Sequence, residues 1–273
     1  NLVRKTLQLE LNTFTKNLQL DDVTKQAFSK ARQNLNPAVF ALLNEKFITE
    51  FHTDNEIKTL HGFRIFAVDG SKIQLPSHQE LIQEYGCSKN QFGSAIPMAL
   101  SSTLFDVLNK ISVHSTIAPI ASSERVLAQQ HLYQLQKINQ QTEFYKTGIK
   151  DLFIFDRGYP ATELFVRLAE EKKDFLARCK RDFCTEVVEV LANGQKDVVR
   201  VLVFTLSSGE LEILITSLLD QHEFTYSILF EFYNLRWGIE ENIKFHKSAA
   251  QLENFSGKSK ISIEQDFHAT VFA

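Results

Sequence analysis

The segment YNLRWGIEENIKFHK carries an aromatic hydroxyl, a guanidinium, a carboxylate and an ammonium at Tyr233, Arg236, Glu240 and Lys247. At about 100° per helical residue these four fall within an arc of about 60°. Phe232, Leu235, Ile239 and Ile243 form the neighbouring stripe, which should face a core. The polar stripe therefore borders a buried face, and its long side chains can reach inward. The same spacing also fits a solvated helix flank with Arg236 and Glu240 as an i,i+4 ion pair. Two more carboxylates follow apolar runs: Asp69 after IFAV and Asp156 after LFIF, each at or near a Gly. An apolar strand that stops at Asp puts a carboxylate at its carboxyl end, where open α/β sheets place their sites. Asp is also simply common in turns.

Three gathered carboxylates would suit phosphoryl transfer on a nucleic-acid backbone. That chemistry must activate an oxygen nucleophile and stabilise a leaving oxygen, and two Mg²⁺ ions about 4 Å apart do both. Such ions take hard oxygen ligands and keep waters, so a few carboxylates suffice. Arg and Lys beside them would hold phosphates, Arg through two parallel bonds and Lys as a point charge.

The elements that must position these groups alternate along the chain. Residues 1–60 read as helices, with a break at Asn36-Pro37 where Pro can open the next helix. FRIFAVDG has the near-continuous apolar character of a strand buried on both faces, and SKIQLP extends or follows it. AIPMALSSTLFDVLN and KISVHSTIAPI predict two further strands joined by a turn around Asn109. Ser122 or Ser123 is placed to cap a helix running to about Ile138, with Glu124 in its first turn. DLFIFDRG predicts another buried strand, PATELFVRLAEEK a helix and DFLARC a strand. Residues 183–218 are rich in β-branched side chains. Turn signals at Asn193-Gly194 and Ser207-Ser208-Gly209 predict an antiparallel meander inserted into an α/β chain. Helical signal returns from about Glu223 to Leu252.

Bulk properties exclude several classes. The 273 residues allow one large domain or two small ones. A content of 44% hydrophobic and 23% charged residues matches an ordinary soluble globular protein, and the 23 Phe supply a large core. A net charge of −3 argues against a simple basic DNA binder but leaves room for a local basic groove. Cys87, Cys179 and Cys184 are too few for a disulfide scaffold, which points to a reducing cytosol, and Cys179–Cys184 lacks the second ligand pair of a zinc site. No apolar run is long enough to span a membrane, and no signal peptide is present. Neither GxGxxG nor a Walker loop occurs, nor does HExxH. Asp69 and Asp156 could in principle form a glycosidase acid/base pair. The chain begins at Asn1 rather than Met and stops within an apolar helical pattern, QDFHATVFA, as a processed or partial chain would.

The spacing Y-x2-R-x3-E-x6-K, met by Tyr233, Arg236, Glu240 and Lys247, resembles the YREK signature of bacterial insertion-sequence transposases of the DDE type. AVDGSKIQLP is similar to that family's first-Asp region and FDRGYPATELF to its second, including the Asp-Arg-Gly-Tyr run. AFSKARQNLNPAVF and LENFSGKSKISIEQDFHA are also similar to family segments, so the resemblance covers roughly residues 20–270.

This resemblance implies an α/β fold: an RNase H-like mixed sheet flanked by helices. Residues 1–60 would be an N-terminal helical region, 61–180 the first part of the core, 181–220 a β-rich insertion and 221–273 the core's C-terminal helices. Asp69, Asp156 and Glu240 would be the catalytic, metal-binding triad for two Mg²⁺ or Mn²⁺ ions. Tyr233, Arg236 and Lys247 would contact phosphates of the element ends. Arg157 and Tyr159 would either touch DNA or brace their loop, and Trp237 would either stack on a base or pack at a core or rim. His246 reads as a helix-surface histidine rather than a general base. The implied activity is metal-dependent cleavage at insertion-element ends and strand transfer into target DNA, through a homodimer at synapsis, in the cytoplasm at the nucleoid and without a membrane partner. The other reading is a transposase remnant that only binds DNA. The strongly basic end-binding domain of many members is not evident; it either lies outside this sequence or is replaced by the helices of residues 1–60.

Overall fold

The apolar run from Phe63 and the SKIQ that follows it form one strand, β1 (Phe63–Gln74), whose first six residues are buried. In the computed structural model, residues 6–54, 56–89, 91–180, 182–183, 199–205 and 209–273 are described. Helices α1 (Leu7–Leu18), α2 (Lys25–Gln33) and α3 (Ala38–Asp54) precede β1. After it come α4 (Gln79–Tyr85), β2 (Cys87–Lys89), β3 (Ala95–Asp106) and β4 (Ile111–Pro119). Then follow α5 (Glu124–Gln141), β5 (Lys150–Phe155), α6 (Thr162–Glu170) and β6 (Asp174–Cys179). The chain goes on through β7 (Arg200–Thr205), β8 (Leu211–Thr216), α7 (Tyr226–Asn234), α8 (Trp237–Ser248) and α9 (Lys260–Phe272).

One sheet runs in the order β4-β3-β1-β5-β6-β8-β7, with β2 on the first residues of β3. β1, β5 and β6 are parallel, while β3 runs antiparallel to both β1 and β4. This antiparallel β1–β3–β4 meander followed by parallel β5 and β6 is an RNase H-like mixed sheet. β8 pairs antiparallel with β6, and β7 with β8, so this hairpin continues the same sheet at its far edge. Alternation cannot reveal that, because a meander has the same period-2 pattern whether it pairs internally or extends another sheet. Asn193-Gly194, Ser207, Ser208 and Cys184 lie outside the described residues.

Two apolar layers cover the sheet. On one face Phe66, Val68, Phe153 and Phe155 pack with Ile48 of α3, Leu132 and Leu135 of α5 and Leu164 and Leu168 of α6. On the other, Phe63, Ile65, Ala67, Leu152 and Ile154 pack with Leu229 and Phe232 of α7 and Ile239 of α8. Helices on both faces are what an apolar, non-alternating parallel strand needs. A third cluster joins the end of β1 (Ile73) and α4 (Leu81) to α9 (Ile263, Phe267).

Two features of the chain differ from the reading of its sequence. β1 does not stop at Asp69; it runs through Asp69 and Gly70 because these residues pair with Thr103 and Ser102 of β3. The segment from Tyr233 to Lys247 is two helices rather than one. Leu235 N–H donates to Phe232 O, Arg236 N–H to Tyr233 O and Gly238 N–H to Leu235 O, all at three-residue spacing. This tighter 3₁₀-type turn separates α7 from α8 and rotates Tyr233 relative to the rest of the stripe. The apolar stripe nonetheless faces inward: Phe232 and Ile239 are fully buried, with Leu235 and Ile243 packed against the same cluster.

Candidate active site

The parallel pairing of β1 with β5 sets Phe63 opposite Lys150 and Ala67 opposite Ile154. Carried two positions further, the same register sets Asp69 beside Asp156, which directly follows β5. Neighbouring strands lie roughly 4.8 Å apart. Side chains alternate faces along a strand, so Asp69 shares the face of Ile65 and Ala67, and Asp156 that of Leu152 and Ile154. This is the face covered by α7 and α8. Ile239 anchors α8 there, and its neighbour Glu240 sits at the border of the buried layer.

Arg236 links the groups. Its Nη2 donates to Glu240 Oε1 at 2.7 Å, and its charge acts on Asp69 and on Asp156. It is 8% exposed, so the i,i+4 pair is largely withdrawn from solvent and its geometry is held by packing. Burial pushes the Asp69 carboxyl up to about 6. The Gly70 N–H, which donates to Asp69 Oδ1 at 2.8 Å, and Arg236 oppose that rise, while the charges of Glu124 and Asp156 add to it. Among the described residues, several buried polar atoms here meet no hydrogen-bond partner: Asp156 Oδ1, the Tyr233 hydroxyl and Arg236 Nε. Buried polar atoms are ordinarily paired, and orphaned ones concentrate where a ligand or ion completes the site.

The other candidates fall into place around this centre. Tyr233 is 7% exposed and contributes from the end of α7, with its ring 6.0 Å from the Arg236 guanidinium. Lys247 is half-buried and its Nζ donates to Lys72 O at 2.6 Å, three residues beyond Asp69 on β1. Tyr159 is 1% exposed, within the apolar layer rather than facing solvent. Arg157 is exposed beside Asp156. Trp237 opens α8 at 58% exposure with the Arg236 guanidinium 5.4 Å from its ring, which makes it a rim aromatic and not a core one. His246 is half-buried rather than on the helix surface, and burial holds its imidazole below the usual range.

Glu124, in the first turn of α5, also lies beside the two aspartates' backbone. Its Oε1 lies 2.6 Å from where a Cβ on Gly70 would stand, and its Oε2 lies 3.6 Å from the corresponding point on Gly158. It therefore sits against the backbone next to Asp69 and two residues beyond Asp156. A carboxylate in a helix's first turn is ordinary dipole complementation, and only the two glycines hint at anything else.

An all-carboxylate donor set with an orphaned Asp156 oxygen is chemically suited to a hard divalent cation. Among the described residues, though, no three His, Cys, Asp or Glu side chains already stand close enough together to hold an ion. Asp69 and Asp156 fit such an ion as a pair. Glu240 joins them only by leaving Arg236, which like-charge repulsion among bare carboxylates otherwise favours as its partner.

The RNase H-like sheet thus carries two half-buried Asp at adjacent strands, with a Glu on the helix that covers them. The Transposase DDE domain family matches residues 60–273, and the chain belongs to that family. It is similar to "Putative transposase InsZ" of Escherichia coli (strain K12), at 21% identity over 173 residues, covering 62% of this chain and 54% of that protein. The chain thus spans about half the length of the curated relative it matches. Two solved structures are also similar. One is the piggyBac transposase synaptic complex with hairpin DNA, with TM-score 0.46 and 9% identity, covering 98% of this chain and 59% of that one. The other is the Mos1 transposase paired-end complex with left transposon end, with TM-score 0.28 and 15% identity, covering 64% of this chain and 59% of that one. Among the described residues no helix is long and apolar enough to cross a membrane.

Proposed function

We propose that this chain cleaves DNA at the ends of an insertion element and joins the freed ends to target DNA, with Asp69, Asp156 and Glu240 as its catalytic carboxylates. The observation that supports the reading is the parallel β1–β5 register, which runs to Ala67 opposite Ile154, two positions short of Asp69 and Asp156, within a DDE transposase domain. Bound Mg²⁺ or Mn²⁺, two per site, would activate the oxygen nucleophile and stabilise the leaving oxygen. Asp69 and Asp156 would hold the ions from the sheet. Glu240 would complete the set from α8 once Arg236 turns to a DNA phosphate, so that one phosphate contact frees one ligand. Lys247 would add a cation on the β1 side and Arg157 one on the β5 side, with Tyr233 directing its hydroxyl to the same backbone. Trp237, exposed beside Arg236, would stack on an unpaired base.

The first reaction adds water across a phosphodiester, giving a 5′-phosphate and a free 3′-OH. In the second, that 3′-OH attacks a target phosphorus and displaces the target strand's own 3′-oxygen, so the number of phosphodiesters is conserved. Two ends must be held together for joining, which calls for a second copy of the chain at that moment.

The test is incubation with DNA flanking the gene and Mg²⁺ or Mn²⁺, comparing the wild type with Asp69→Ala, Asp156→Ala and Glu240→Ala. Nicks at the element boundary with the wild type alone are expected. A wild type that binds these ends but cuts no more than the three variants would identify a DNA-binding remnant instead.

A further inference from the structure

We infer that Arg178 on β6 takes a phosphate of bound DNA on the far side of Asp156 from Asp69, and that Glu212 of the β7–β8 hairpin occupies Arg178 until that phosphate arrives. This rests on the DNA-processing reading of the same site.

Position comes first. β5 and β6 are parallel, and their register runs to Phe155 opposite Ala177, one position short of Asp156 and Arg178. Leu176 lies in the apolar layer under α7, so Arg178, two residues on, shares its face. That is the face of Ile154, and so of Asp156. The strand order β1-β5-β6 therefore continues the row of Asp69 and Asp156 with a guanidinium. Tyr233 on α7 faces this end of the row: the charges of Asp156, Arg236, Glu212 and Arg178 all bear on its hydroxyl.

Unmet donors come second. Among the described residues, Arg178 Nε, Arg236 Nε and the Tyr233 hydroxyl are buried and meet no hydrogen-bond partner. None of the three is spent on Asp156, whose own Oδ1 is unpartnered. Two cationic donors and a hydroxyl grouped without an acceptor suit an oxyanion.

The arrangement of charge is the third feature. Each guanidinium rests on a glutamate through one nitrogen only: Arg236 Nη2 lies 2.7 Å from Glu240 Oε1, and Arg178 Nη2 lies 3.4 Å from Glu212 Oε2. The second pair is longer, and the Arg178 side chain is 24% exposed against 10% for Arg236. A long, partly solvated pair contributes little, whereas a phosphate can offer two oxygens to Nε and Nη together. Phosphate therefore displaces Glu212 readily. Without DNA, Glu212 keeps Arg178 off the Asp156 carboxylate, which stays open to a cation.

The experiment measures binding of the whole chain to fluorescein-labelled duplex DNA flanking the gene, by anisotropy across a salt series in EDTA, where cleavage does not enter. Arg178→Ala is expected to weaken binding about tenfold and to reduce the salt slope by about one. Arg178→Lys is expected to restore the slope but not the affinity, because a point charge cannot take two oxygens at once. Glu212→Gln is expected to tighten binding severalfold and to lose that gain when combined with Arg178→Ala. An unchanged salt slope in Arg178→Ala would overturn the phosphate contact. An equal gain from Glu212→Gln with and without Arg178→Ala would overturn the exchange, since general repulsion of DNA by Glu212 does not need Arg178. Should Arg178→Ala fail to fold, Arg178→Lys decides, and wild-type affinity in it refutes the two-oxygen contact. A wild type that shows these binding effects yet cuts no DNA with metal would sink the catalytic reading and leave this one standing. Absence of DNA binding by the wild type would overturn both.

Discussion

Asp69 illustrates how the site works against the fold at the level of one residue. Its carboxyl titrates near 6 instead of the ordinary 3.8, chiefly because it is buried. A carboxyl with a raised folded pKa favours the folded chain below the unfolded value, and that contribution is lost as pH rises through 6. At neutral pH the charged Asp69 therefore costs stability, on the order of 3 kcal/mol. Asp69→Asn keeps an oxygen to accept the Gly70 N–H and removes the charge. It should raise the metal-free melting temperature at pH 7.5 by a few degrees, and the gain should shrink at pH 5. An unchanged or lower melting point at pH 7.5 would show that the charge is not strained. The two aspartates were legible because each follows a run of four apolar residues and precedes or nears a glycine. Glu124 was not, because a glutamate in a first helical turn has an adequate local reason to be there. What distinguishes it is its close approach to Gly70, a residue distant in the chain, which sequence order does not display.

Elements are positioned by polar contacts that an apolar reading hides. FRIFAVDG reads as a buried strand and is one, yet Arg64 within it is completely buried. Its Nε and Nη2 donate to Asp151 Oδ1 at 2.8 and 2.6 Å, Nη2 also donates to Asn139 and Nη1 to His52, and the guanidinium lies 3.4 Å from the Phe144 ring. Lys173 closes the other side of Asp151. This network ties α3, α5, β1 and β5 together at the end of the sheet away from Asp69 and Asp156. It fixes the β1–β5 register that sets Asp69 beside Asp156. Arg64→Ala would leave a buried carboxylate without its main partner, and should cost roughly 3–5 kcal/mol in urea unfolding. Arg64→Ala with Asp151→Ala should recover part of that loss, and a double variant no better than the single would remove the ion pair from the account. The break between α7 and α8 was equally hidden. No proline marks it, and Gly238, which packs against Val107 and Phe105, lies one turn too late to announce it.

Across the whole molecule the histidines set the conditions under which the site can exist. Burial lowers the imidazole pKa at His52 to about 3 and at His114 to about 4, holds His131 well below its ordinary 6.5, and lowers His246 and His268 in the same direction. The contacts require neutral rings. His52 Nδ1 accepts from Arg64, so it carries no proton. His114 Nδ1 and His131 Nδ1 face each other at 2.7 Å, so one must be bare for the other to donate, and His131 Nε2 is committed to Ser102 Oγ at 2.9 Å. Ser102 pairs with Gly70 across β3 and β1, which connects this chain of bonds to the strand that carries Asp69. These rings take up protons when unfolded and refuse them when folded. Their contribution is complete above about pH 6.5 and is lost as pH falls toward 4 and 3. Asp151, held below the usual carboxylate range by Arg64 and Lys173 despite its burial, adds a loss of the same sign at lower pH. Asp69 has the opposite sign over pH 4 to 6 but is one group against several. The urea midpoint should therefore fall steadily from pH 6.5 to pH 4, before ordinary carboxylates titrate. His114→Asn, which keeps a donor and an acceptor but cannot titrate in this range, should flatten that slope while leaving stability at pH 8 nearly unchanged. A midpoint constant from pH 7 to pH 5 would mean that the buried imidazoles gain protons in the folded chain as readily as in the unfolded one, and that the Ser102–His131–His114 chain does not hold.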